Sequence, residues 1–149
     1  MKRLNVLNFT SFLANLKLNK FDKEIRSAII SNSLIANKVS KEFEESIQEA
    51  RKRYFEDLDE EISKLTVYRQ KYEIANDEEK IVIDKECFEN CKNALIAESE
   101  LTDFANRLGN EEINENFIKM NKEKFVDQCA EADIEITNNV LVLLDELFN

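Results

Sequence analysis

Histidine and proline are absent from this sequence, and glycine occurs once, at Gly109. Without histidine the chain lacks the commonest general base and the usual imidazole ligand of transition metals. A di-iron site built on Glu-x-x-His pairs is therefore excluded, and one glycine cannot build a phosphate-cradling loop. A serine nucleophile would lack its customary base. Sheet-rich folds need turn-forming Gly and Pro, so their scarcity beside 43% hydrophobic and 35% charged residues points to helices. The fold class expected is all-α.

Long apolar runs are also missing. No stretch approaches the roughly 20 apolar residues that cross a bilayer, and Asn5, Asn8 and Asn15 interrupt any signal-peptide core. The expectation is a cytoplasmic chain with no membrane partner. Cysteine is scarce and odd in number, at Cys87, Cys91 and Cys129, which makes no disulfide framework and suits free thiols in a reducing compartment.

What the sequence does hold is one persistent apolar stripe. Ile25, Ile29, Ala36, Val39, Phe43, Ile47, Ala50, Tyr54, Leu58, Ile62, Leu65, Tyr68 and Tyr72 recur about every 3.6 residues, with Asn32 filling the one gap. The spacing predicts an unbroken helix over 22–72, roughly 75 Å long at about 1.5 Å per residue, with Asp22 as its N-cap. Such a stripe is the mark of a coiled coil or a long hairpin and needs a partner to cover it. A repeat nearer 3.6 than 3.5 predicts little supercoil. On the opposite face, Glu49 with Arg53 and Glu60 with Lys64 stand in the favourable i,i+4 order, as expected of a wet surface.

Asn76, followed by Asp77, Glu78 and Glu79, reads as a capping box with acids in the first turn. It opens a second predicted helix over 77–108, which Gly109 would end in a left-handed C′ conformation. The short link makes the two helices antiparallel neighbours. Asn8, Asn121 and Thr137 each follow an apolar residue and precede another by four, the pattern of a hydrophobic staple. They predict short helices over about 9–17, 122–132 and 138–148, while 110–119 reads as irregular. The expected architecture is one domain over 1–149: a short helix in 1–21, a long antiparallel hairpin over 22–108, and short helices within 110–149. The terminal helices pack at one end, with Phe12, Phe21, Phe125, Leu143, Leu144 and Phe148 forming the clasp. The match between Leu7-Asn8 with Phe12 and Met120-Asn121 with Phe125 reflects shared capping chemistry rather than duplication.

No catalytic, cofactor-binding or metal-ligating residue is expected. Cys87 and Cys91 lie one turn apart but lack further soft donors for a zinc site, so packing explains them better. Asp57, Asp59, Glu60 and Glu61 lack the glycine and the spacing of a calcium loop, and Arg51-Lys52-Arg53 is offset by Glu49, Glu56 and Asp57. Both groups read as solvated helix faces.

The net charge of −10 is uneven: residues 1–72 carry +3 and residues 73–149 carry −13. An acidic second half disfavours nucleic acid as a ligand and suits solubility or a basic partner surface. The basic residues Lys2, Arg3, Lys17 and Lys20 are too few to define a binding arm.

Phe12-Leu13-Ala14-Asn15-Leu16-Lys17-Leu18, then Asp22-Lys23 and Arg26, and the closing Met120-Asn121-Lys122-Glu123-Lys124-Phe125 resemble small helical proteins of unknown function from bacteriophage structural gene clusters. The resemblance implies a virion or assembly component and carries no catalytic residues. The function expected is thus a non-enzymatic helical interaction component, binding a protein partner or itself through the apolar stripe. The alternative is an acidic mimic of nucleic acid that inhibits a basic protein through Asp77, Glu78, Glu79, Glu86, Glu89, Glu98, Glu100 and Asp103.

Overall fold

A computed structural model describes residues 1–149. The chain is all-α, with seven α-helices: α1 (Arg3–Ala14), α2 (Lys23–Tyr54), α3 (Asp59–Ile74), α4 (Asp77–Asn90), α5 (Lys92–Asn110), α6 (Lys122–Glu131) and α7 (Asn138–Leu143). Short 3-10 turns at Leu18–Lys20 and Asp145–Leu147 complete the order. The residues group into two compact units, one made of 1–44 and 108–149, the other of 45–107.

The first unit is built from both ends of the chain. Val6, Phe9 and Leu13 of α1, Ile25, Ile29, Ala36 and Val39 of α2, Phe125 and Cys129 of α6, and Leu144, Leu147 and Phe148 share one buried cluster. Phe21, Phe125, Leu144 and Phe148 lie inside it, and Phe12 and Leu143 pack against it, which is the expected clasp. Phe21 stacks on Phe125 with ring centres 5.8 Å apart, and Phe125 tilts against Phe148 at 5.5 Å. These contacts add to the burial of the large rings themselves.

Asn32 explains the gap in the stripe. It is fully buried, and its side-chain amide donates to the carbonyl of Ile118 at 2.9 Å while accepting from the Ile118 amide at 2.7 Å. One side chain thereby satisfies both backbone groups of a non-helical residue, as a neighbouring strand would. The irregular reading of 110–119 agrees with this extended segment. Asp22 caps α2 by accepting from the Ile25 amide at 3.0 Å, and its other oxygen receives the Lys124 ammonium at 2.7 Å and the Gln128 amide at 2.8 Å.

Several predicted boundaries need correction. The helix over 22–72 is broken between Tyr54 and Asp59, where Asp57 takes a left-handed φ of 59°. Aspartate tolerates that conformation better than most residues, and Leu58, Ile62 and Leu65 resume the stripe after the break in unchanged phase. Periodicity alone therefore cannot register it. The helix over 77–108 is interrupted at Cys91, whose φ of −125° ends α4. The amide of Asn93, freed in the first turn of α5, donates instead to the Glu61 carboxylate at 3.1 Å. A carboxylate arriving from another helix supplied the cap that no local residue announced.

Gly109 has no positive φ, and α5 continues through it to Asn110. The helix predicted over 9–17 instead spans Arg3–Ala14, with Lys2 at the N-cap and Asn8 exposed mid-helix. The returning chain takes the place of a cap: Arg3 donates from its amide to the Glu111 carbonyl at 3.0 Å and from its guanidinium to the Leu108 carbonyl at 2.6 Å. The caps at Asn76, Asn121 and Thr137 lie where expected, accepting from Glu79, Lys124 and Val140 amides. The final helix is shorter than 138–148, stopping at Leu143 before the 3-10 turn.

Candidate interaction groove

The second unit has a much thinner interior. Leu65, Cys91 and Ala94 are its buried cluster, flanked by Tyr68, Cys87 and Leu95, with Ala50, Ala97 and Leu101 also buried. Here α3 and α4 form a compact antiparallel hairpin joined by Ala75 and Asn76. Near the link the Lys80 ammonium lies 5.0 Å from the Tyr72 ring centre, and at the far end the Asn90 amide donates to the Tyr68 hydroxyl at 3.0 Å. The capping box of Asn76 and Glu79, with bonds at 2.9 and 3.3 Å, fixes the start of α4.

Small residues at Cys91, Ala94 and Ala97 let backbones approach but bury little apolar area. The cover runs out. Ile74, Ile81, Val82 and Phe88 all stay in solvent, Phe88 at 61% exposure. Between the helices lies an open groove of about 510 Å³, its walls formed by Leu65, Tyr68, Tyr72, Ile83, Phe88 and Leu95, with Arg69, Glu73, Asp84 and Cys87 also facing it. That size lies within the range of natural ligand and peptide clefts.

The apolar stripe expected to dock a partner is largely covered within the chain: Ile25, Ile29, Ala36, Val39, Ala50 and Leu65 are buried. The solvent-facing apolar residues of α4 were not part of that stripe. Ile81 and Phe88 stand among the apolar positions expected of the helix over 77–108, yet both are exposed, because the consecutive run Ile81-Val82-Ile83 already spans about 200° of a helix and is too wide for the single neighbour that α3 provides.

The candidate chemical groups are placed in ordinary structural roles. Cys91 is fully buried and Cys87 half-buried beside it, while Cys129 sits in the first unit's core. Burial pushes the Cys91 thiol up and, still more, the Cys129 thiol, to about 11. Of the acidic run, Glu61 caps α5, Glu60 pairs with Lys64 at 2.8 Å, and Asp59 lies in the first turn of α3. No group of three or more potential ligands comes together to hold a metal ion. The Arg51 and Arg53 guanidiniums lie 6.0 and 5.0 Å from the rings of Phe55 and Tyr54. The eight carboxylates of the nucleic-acid-mimic reading do not share a face. Asp77, Glu78 and Glu79 point three ways around α4 at about 100° per residue. Glu98 is held by Arg69 through two bonds of 2.7 and 2.6 Å.

No helix is long and apolar enough to cross a membrane. In comparisons with protein-family models, curated proteins and solved structures, the chain matches none.

Proposed function

We propose that this chain is a non-enzymatic helical interaction component that binds protein through the apolar surface of α3 and α4. The observation carrying the reading is the groove between those helices, with Phe88 on its wall left largely in solvent. Large apolar side chains gathered around a concave surface mark a site where another chain excludes water. Glu61 caps α5, Glu60 pairs with Lys64, and Cys91 and Cys129 are buried, roles that support binding over catalysis. A part in virion structure or assembly belongs to this proposal on the strength of the sequence resemblance alone.

The test is association. Light scattering from micromolar to millimolar concentration, together with titration against the products of adjacent genes, is expected to reveal binding. Phe88→Asp should abolish it while leaving the helical circular dichroism unchanged. A strict monomer that binds none of those products would overturn the proposal.

A further inference from the structure

The groove has a length, a pattern and a charge, and together they describe its occupant. On α3 its lining residues are Leu65, Tyr68, Arg69, Tyr72 and Glu73, spacings of three and four that keep two turns on one side. At about 1.5 Å per residue that wall is about 12 Å long, the span of two turns of a guest helix. A helix seated there would present apolar side chains at i, i+3 or i+4, and i+7.

Charge selects among such helices. Glu73 and Asp84 stand at the groove without a hydrogen bond or ion pair. Arg69, the one cation of its lining, is neutralised by the two bonds it donates to Glu98. Lys80 rests over the Tyr72 ring, 5.0 Å from its centre, and makes no ion pair. An apolar floor with uncompensated carboxylates on both walls favours a guest whose apolar face is bordered by cations. A second copy of this groove would bring the same carboxylates against them.

We infer that the occupant is a cationic amphipathic helix of another protein, with apolar anchors between α3 and α4 and Lys or Arg side chains reaching Glu73 and Asp84. This rests on the interaction reading above and adds to it the chemistry of the partner.

Two fluorescent peptides of about 15 residues, long enough to form helix, serve as probes. Both carry leucine at i, i+3, i+4 and i+7; one has lysine at the flanking positions and the other glutamate. Anisotropy titrations of the full chain should show the lysine peptide binding at least about tenfold tighter. Glu73→Gln with Asp84→Asn should weaken it about five- to tenfold, the loss expected of two exposed ion pairs. Glu131→Gln with Glu135→Gln removes as much charge from an exposed part of the first unit and should change affinity less than twofold.

Equal losses from the two pairs would show bulk attraction to an acidic protein and overturn the inference. If both peptides bind alike and Phe88→Asp abolishes both, the inference falls while the interaction reading stands. The same holds if neither peptide binds and the chain forms a dimer that Phe88→Asp dissolves, for then a second copy is the occupant. If no peptide binds and the chain stays monomeric, both fall.

Discussion

The two units use similar helices to opposite ends. In the first, aromatic rings from four places in the sequence meet: Phe9 from α1, Phe21 before α2, Phe125 from α6 and Phe148 beyond α7 are all buried. In the second, α5 buries two alanines, Ala94 and Ala97, beside one large residue, Leu101, and Ile81, Val82 and Phe88 of α4 lie outside. Burial of apolar area is the main favourable term in folding, so the first unit holds most of its own stabilisation within itself. The second has left part of that term unused. What separates the two units here is thus the size of the residues turned inward rather than the amount of helix.

Removing one ring tests this most directly. Phe125→Ala should cost about 3–5 kcal/mol, and Leu65→Ala in the thinner interior about 2–3 kcal/mol, both read by denaturant unfolding. Amide exchange resolved by residue should open 1–44 and 108–149 in the first case and 45–107 in the second. Loss of protection in both units from either substitution would mean that they unfold as one.

Asn32→Leu sharpens the comparison, because the periodic pattern treats leucine there as an improvement. The buried Ile118 amide and carbonyl would lose their partner, so the expected result is destabilisation by about 2–4 kcal/mol. An unchanged midpoint would show that the clamp contributes nothing.

Smaller effects lie at the margins of the first unit. Gly109 sits inside α5 with helical backbone, and a Cβ added there would meet Leu4 at 3.7 Å, an ordinary contact. Gly109→Ala should therefore stabilise the chain by up to about 1 kcal/mol, measured as a rise in thermal midpoint. Any destabilisation would show that α5 does end at that residue. At Asp22, the Lys124 ammonium, the Ile25 amide and the Gln128 amide hold the carboxyl well below the usual carboxylate range. Because the folded value is lowered, its contribution is fully present above about pH 4 and is lost as pH falls through the folded value. Asp22→Asn should flatten that part of the stability profile. The site is open to solvent, so the effect should be the smallest of the four and should shrink with added salt.

The helical class and the caps at Asp22, Asn76, Asn121 and Thr137 were legible because each depends on residues a few positions apart. The aromatic clasp was legible from the same staples. What escaped depends on partners distant in sequence. Arg3 begins α1 because Glu111 and Leu108 receive its donors, and α5 restarts at Lys92 because Glu61 accepts from Asn93. The break at Asp57 was hidden by a stripe that continues in phase beyond it. The groove escaped for a related reason: a window of sequence shows which residues are apolar, whereas exposure depends on what arrives to cover them.

The Asn32 clamp also bears on the order of events during synthesis. Asn32 and Ile118 are separated by 86 positions, and the core containing Phe9 and Phe21 is incomplete until Phe148 has been made. The α3–α4 hairpin, by contrast, has all its mutual contacts within a short stretch of chain. Local contacts form fast and distant ones slowly, so a nascent chain emerging N-terminus first can finish the inserted hairpin while the region hosting it still awaits its closing residues. The helices that line the groove would then be formed before the aromatic core of the first unit is closed.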